Sequence, residues 1–178
     1  MTEPAGPISI ARATFRKMIA DSPAFRLWID ASGDDSNQQA QALNRIHVNA
    51  FPPPLDGRDY EKDEYLGYLP CAVVWTGSPV YESIPVGSKA FRASGMLMAD
   101  FLWEVPEDLA DNDNELEIRL HNFMGELIQD FKALANNPGY LEIVQIDIAE
   151  NFARTPEEKR PHLGDYIVME MMAKWSGI

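Results

Sequence analysis

Apolar and polar positions alternate with a period of two in the second half of the chain. The clearest case runs from Phe91 to Val105, where every second residue is apolar or small and polar residues such as Asp100 lie between several of them. This pattern predicts a half-buried β-strand. Fully extended, it would be about 50 Å long, well above the usual strand length. Either Gly95 marks a bulge that divides the strand, or one end projects beyond the sheet and contacts another molecule.

A helical period follows this strand. From Leu116 to Ala135 the apolar residues recur at spacings of three and four, which predicts one long amphipathic helix. Candidate N-cap residues occupy positions 111–114, and the run Asn136-Asn137-Pro138-Gly139 is a strong stop signal.

Shorter helices are predicted near the N-terminus. One starts at Pro7 and ends near Ala20, because proline is tolerated in a first helical turn. Ser22-Pro23 starts a second one, and a third of one or two turns is predicted within 38–46, after a polar loop.

Four more segments have the composition of strands. The phase slip at Ile143 and Val144 indicates a bulge or burial on both faces, and the final segment, apolar on both faces, belongs in the middle of a sheet or under a partner. The predicted strands are 72–76, 81–86, 141–149 and 165–175, the first ended by Gly77-Ser78-Pro79.

These elements predict an α+β fold, with a mainly antiparallel or mixed sheet packed on one long amphipathic helix and additional short N-terminal helices. We expect a single domain over residues 1–178. It includes an irregular, Pro-rich acidic segment at about 50–66, which begins with Phe51-Pro52-Pro53-Pro54.

The charge excludes several partners. The 178 residues include 28 acidic and 15 basic side chains, for a net charge of -13. Such a chain lacks the basic face that sequence-specific nucleic-acid binding requires, and anionic membranes would repel it. No apolar run approaches the roughly 20 residues that span a bilayer. Because residues 1–7 do not have the pattern of a signal peptide and Cys71 is the only cysteine, we expect assembly in the cytoplasm.

The acidic residues are unevenly distributed. Residues 100–117 contain eight acids and no base. This block is either a solvated turn with the acid-rich first turn of a helix, or a surface that repels polyanions or engages a basic partner.

No catalytic, cofactor-binding or metal-binding residue is predicted. His47, His121 and His162 are far apart and in no metal-ligand spacing. Cys71 starts an apolar strand and is best interpreted as a small buried hydrophobe. Glycine-rich phosphate loops and nucleophile elbows are absent from the sequence, so we expect no enzyme activity and no cofactor.

Methionines suggest an interface. Met96, Met98 and Leu102 lie on the face of the long strand that should be outside. They are either core filler or an adaptable surface that an oligomer covers.

Taken together, the element order resembles the tail terminator or tail-completion (head-tail joining) proteins of tailed bacteriophages. The resemblance covers residues 66–178 well and the first 65 loosely. The matching stretches are 70–75, 91–105, 115–135, 141–148 and 164–175.

The resemblance implies a structural virion protein: a ring, usually a hexamer, of α/β subunits joined through their sheets. It would sit in the neck region of the virion, between the tail-tube protein and the head-tail connector proteins, with DNA passing through the lumen without specific binding. The family has no catalytic residues.

Particular residues of this chain fit that role as hypotheses. Asp108, Asp111 and Asp113 are candidate lumen residues, since like charge lets DNA slide, although an outward-facing turn is equally open. Arg154, Lys159 and Arg160 form a basic loop with His162. It is either solvated or meets the acidic block of the next subunit or a tail-tube protein.

The alternative is a small-molecule or peptide-binding α+β module that is not part of a virion. A deep apolar pocket with a few convergent polar groups would favour it.

Overall fold

The computed structural model describes residues 6–50, 68–83, 91–105, 107–109, 112–137, 139–148, 153–154 and 166–176. The helices of this part are α1 (Pro7–Asp21), α2 (Pro23–Trp28), α3 (Asp35–Asn44) and α4 (Asp113–Leu134), with a 3₁₀ turn at Glu107–Leu109. The strands are β1 (Ile46–Val48), β2 (Cys71–Ser83), β3 (Phe91–Glu104), β4 (Glu142–Ile148), β5 (Ala153–Arg154) and β6 (Tyr166–Ser176).

The helix starts follow local capping rules. Pro7 opens α1, where a backbone N–H would have no partner in the helix. The Ser22 hydroxyl accepts a hydrogen bond from the Phe25 amide and caps α2, and the Asn112 side chain accepts one from the Glu115 amide and caps α4. The predictions for α1, α2 and α4 are confirmed. The third helix begins earlier than predicted, because the Asp34 side chain caps it.

The sheet is mixed and runs in the order β1-β2-β3-β6-β4, with β5 also paired to β6. The pair β1–β2 is parallel and the other pairs are antiparallel. The predicted α+β fold class is therefore confirmed. The strand β6 lies between β3 and β4, which confirms the prediction that it belongs in the middle of the sheet.

The prediction that Gly77-Ser78-Pro79 ends a strand is wrong. The strand β2 continues through these residues to Ser83, and the register with β3 shifts between Thr76 and Pro79. Gly77 and Ser78 have no register partner on β3, and pairing resumes at Pro79 opposite Gly95. The turn-like residues thus form a bulge within the strand.

Both explanations offered for the long strand are also wrong. Its register with β6 is unbroken from Ser94 to Glu104, and it pairs with β2 from Phe91 to Leu102. Gly95 therefore does not divide the strand, and neither end projects. The strand can be long because β2 and β6 are long as well. The bulge lies instead on β2, opposite Gly95 and Leu97.

A second bulge lies in β4, where the register with β6 shifts between Ile143 and Gln145, and this confirms the predicted slip in phase. The acidic segment predicted at about 50–66 lies outside the described residues from position 51 onward, as do residues 84–86 of a predicted strand.

The main core lies between one face of the sheet and the helices. Its largest fully buried side chains include Phe15 of α1, Phe25 of α2, Phe131 of α4, and Phe101 and Trp175 of the sheet. The Phe15 and Phe131 rings meet edge to face at 5.7 Å. The four helices contribute to this core, so in the described part of the chain they pack on the same face.

Candidate functional site: the outer sheet face and its surroundings

The outer face of the sheet is the face opposite the helices. Strand register places its side chains in rows that cross β2, β3 and β6. One row consists of Trp75, Met98 and Met172, all half-buried. Met96 lies beside this row, opposite Lys174. Together with Met96, the row forms a partly open apolar surface.

The far end of the outer face is closed. Cys71, Val73 and Leu102 are at most 1% exposed and pack together with Leu69 in a second apolar cluster. The prediction that Leu102 belongs to an open subunit interface is therefore wrong, because this side chain is already buried within one chain. Met96 and Met98 remain partly accessible, as that prediction requires.

Two carboxylates lie between the open row and the closed end. Asp100 on β3 and Glu170 on β6 are direct cross-strand partners. The indole N–H of Trp75 donates a 2.7 Å hydrogen bond to Oδ2 of Asp100. Burial, and secondarily the like charge of Glu170, raise the pKa of Asp100, while the hydrogen bond from Trp75 opposes the rise.

The acidic turn follows β3. Asp108 is exposed and lies 3.7 Å from the guanidinium of Arg119, which also lies 3.5 Å from a carboxylate oxygen of Glu115. These ion pairs are solvated and contribute at most about 1 kcal/mol each. Asp111 and the side chain of Asp113 lie outside the described residues. Among the candidate lumen residues, the structure thus gives an exposed side chain for Asp108.

The predicted basic loop is described only at its start. Arg154 belongs to β5 and pairs through its backbone with Ile167 of β6. Lys159, Arg160 and His162 lie outside the described residues.

Reactive chemistry has little support among the described residues. Burial raises the pKa of the Cys71 thiol to about 12, so the reactive thiolate is suppressed near neutral pH. His47 is half-buried in β1, and burial together with Arg16 and Arg45 lowers its pKa. His121 is exposed on α4. The described ranges contain no group of three or more His, Cys, Asp or Glu side chains suited to a metal ion.

The helix side of the sheet also has a groove that the sequence pattern does not predict. It has a volume of about 370 Å³ and lies between α2, α4 and the end of β3. Trp28, Trp103 and Phe123 line it, and Arg119, Asn122 and Glu126 add polar groups. The sequence holds one signal: Phe25, Leu27 and Trp28 are all apolar, so the six-residue helix α2 is apolar on more than one side.

None of the described helices is both long enough and apolar enough to cross a membrane. The sequence matches no model of a known protein family, and no curated protein matches it.

Proposed function

We propose that this chain is a structural protein of a tailed-bacteriophage virion, a tail terminator. In this role it caps the head-proximal end of the tail tube as an oligomeric ring and joins tail to head, while DNA passes through the lumen. The observation that carries the proposal is the apolar row Trp75, Met98 and Met172, half-buried on a sheet face whose helices all lie on the other side in the described part of the chain. The order β3, α4, β4, β6 agrees with the element order on which the resemblance rests.

The physical basis is apolar area that one chain leaves partly in water. Covering such area stabilises an assembly by about 25 cal/mol per Å². Methionine side chains suit this purpose because they are flexible and adapt to the shape of a neighbour. A ring of identical subunits requires two different patches that fit each other, so the outer face would pack on another part of the next copy.

Pairing of a neighbouring subunit with the edges of β3 or β4 is disfavoured. From Ser94 to Leu102, β3 is paired with β2 on one side and β6 on the other, so this part of the strand cannot add to a neighbour's sheet. Strand β4 presents Glu142 and Asp147 and contains a bulge, features that discourage edge-to-edge pairing.

The proposed role for the acidic turn is to line the ring. Asp108 is exposed, and the only cation paired with it among the described residues is Arg119 of α4. A lumen of this charge would not release counterions from DNA, so DNA would slide without binding. Replacing Asp108, Asp111 and Asp113 together by lysine should slow DNA passage and reduce infectivity. Normal infectivity in that variant would remove the lumen assignment.

Ring formation is tested directly on the purified protein and on isolated tails. Analytical ultracentrifugation over a wide concentration range should show an oligomer, and negative-stain microscopy a ring with an axial hole. A monomer at the highest concentration, together with tails that lack such a ring, would overturn the proposal. The gene should also lie among tail and head-completion genes.

The groove favours a second candidate, a small-molecule or peptide-binding module outside any virion. Its apolar lining and few polar groups are typical of ligand sites. A featureless 20 kDa particle in the same microscopy would favour this candidate over the ring.

A further inference from the structure

The groove between α2, α4 and β3 lies on the helix side of the sheet, away from the outer face. Its volume of about 370 Å³ is at the lower end of the range for ligand cavities, roughly 300–1,000 Å³. A space of this size accommodates one or two side chains. The lining residues are Ala24, Leu27, Trp28, Trp103, Arg119, Leu120, Asn122, Phe123 and Glu126.

Aromatic rings form much of the groove wall. Trp28 stacks on Phe123 with ring centroids 4.6 Å apart and an interplanar angle of 21°, and Trp103 lies 6.5 Å from Trp28. Both tryptophans are half-buried. Indole faces attract Arg and Lys side chains through their π electrons and also pack against the alkyl stems of those residues.

The rim of the groove is apolar at one place and acidic at another. Leu27 is 78% exposed, the highest fraction among the large apolar side chains that the structure describes. Glu126 is exposed on the opposite wall, contributed by α4. The charge of Arg119 is offset by its contacts with Asp108 and Glu115. Counted together, the carboxylates of Glu126, Asp108 and Glu115 outnumber this one cation, so the charge around the groove is net negative, as is the charge of the whole chain.

We propose that this groove binds a basic, apolar peptide segment of a partner protein. An apolar side chain of the segment packs against Leu27. An adjacent arginine or lysine lays its stem on the indole of Trp28 or Trp103 and directs its charge to Glu126. The proposal rests on this charge complementarity and on the aromatic wall, and it does not depend on ring formation.

The probe is a short, capped helical peptide with leucine and arginine on one face. Its matched counterpart carries glutamate in place of each arginine. Binding is measured by isothermal titration calorimetry to the full-length protein at low and moderate salt. The arginine peptide should bind, the glutamate peptide should not, and added salt should weaken binding without abolishing it, because the apolar contacts are insensitive to screening.

Two substitutions locate the site. Glu126→Lys should raise the dissociation constant of the arginine peptide about tenfold, since it reverses the charge that faces the ligand. The matched control is Glu117→Lys, an identical charge change at an exposed residue nine positions earlier on α4, and therefore on the opposite side of the helix. At moderate salt this control should change the dissociation constant less than about twofold, because screening limits long-range effects between exposed charges.

Leu27→Ser tests the apolar contact with little risk to folding, because the side chain is largely exposed. It should weaken binding severalfold, whereas Val80→Ser, at a 52% exposed residue of β2, should not.

Equal binding of the two peptides would overturn the proposal. Equal effects of Glu126→Lys and Glu117→Lys would also overturn it, because they would indicate attraction to net charge alone. Absence of binding at millimolar peptide would overturn it too, and would leave ring assembly through the outer face untouched.

Discussion

The hydroxyl of Tyr140 donates a 2.6 Å hydrogen bond to Oδ2 of Asp21, across 119 positions of sequence. This contact joins the end of α1 to the turn before β4. The same carboxylate accepts hydrogen bonds from Gln39 and from the buried side chain of Arg26. Asp21 therefore ties α1 to α2, to α3 and to the turn before β4, and the bond to its carboxylate raises the pKa of Tyr140 to about 12.

Tyr140→Phe removes this hydrogen bond and leaves the ring in place. We expect the free energy of unfolding to fall by about 1–2 kcal/mol, since the bond is made to a charged group. Urea unfolding measures the change. Tyr81→Phe is the matched control at a half-exposed tyrosine and should be nearly neutral. Equal losses for the two variants would contradict the assigned role of Tyr140.

Ser22→Ala should lower the free energy of unfolding by more than an ordinary helix-cap substitution does. The Ser22 hydroxyl caps α2 and also donates a 2.6 Å hydrogen bond to Asp130 of α4, and the residue is fully buried. We expect a loss of about 2 kcal/mol, at the upper end for caps. The exposed cap of α3 provides the comparison: Asp34→Ala should cost about 1 kcal/mol or less. Thermal or urea unfolding measures both losses. A larger loss for Asp34→Ala than for Ser22→Ala would contradict the double role of the Ser22 hydroxyl.

The pKa of Asp100 predicts a pH dependence of stability. The pKa is raised from its ordinary value of 3.8 on folding, so the folded state binds the proton more tightly than the unfolded state. This contribution to stability is present below the ordinary value and is lost as the pH rises through the folded value. Asp100→Asn removes it and retains an acceptor for the Trp75 indole.

Urea unfolding from acid to neutral pH measures the effect as a difference between the two proteins. The stability of Asp100→Asn relative to the original chain should increase as the pH rises. Asp147→Asn, at an exposed carboxylate of β4, serves as the control for the charge change. A difference that stays constant across this range would show that the environment of Asp100 is not as described.

Two glycines should respond in opposite ways to alanine. Gly125 lies inside α4, and a Cβ there would meet nothing within 4 Å, so Gly125→Ala should stabilise the protein by about 0.5–1 kcal/mol. At Gly77, beside the bulge of β2, a Cβ would lie 3.1 Å from the backbone oxygen of Met96. Gly77→Ala should therefore lower the stability of the folded protein. Differential scanning calorimetry of both variants tests the pair, and stabilisation at Gly77 would contradict the close approach of the strands.

Met98→Lys tests the outer face as an assembly surface. Met98 lies at the centre of the apolar row, between Trp75 and Met172. A lysine buried there by a neighbouring subunit would lose its hydration, so the proposed oligomer should not form while the chain stays folded. Ile10→Lys, at a 41% exposed residue of α1, is the control and should assemble normally. Ultracentrifugation with circular dichroism distinguishes dissociation from unfolding, and intact assembly of Met98→Lys would exclude this surface.

Elements that depend on local signals were predictable from the sequence. The cap at Ser22, the proline at position 7 and the apolar spacing of α4 all act within a few residues, and the corresponding helices were predicted correctly. The bulge in β4 was also visible, because it shifts the phase of the apolar residues.

Features that depend on pairing between distant strands were not predictable. Gly77-Ser78-Pro79 has the composition of a turn, and only the long partner β3 keeps it within a strand. Leu102 has the position of an outward residue, and only the second cluster buries it. The groove is hard to predict because Trp28, Trp103 and Phe123 occupy positions that are typical of ordinary core residues.

The placement of β6 between β3 and β4 has a consequence for biosynthesis. Both neighbours leave the ribosome before the strand that separates them, so a nascent chain that ends before Tyr166 holds β3 and β4 with unfilled edges. Open edges of this kind recruit strands from other chains. Translational pauses upstream of Tyr166 should therefore lower the yield of native protein, and binding of a chaperone to nascent β3 should raise it.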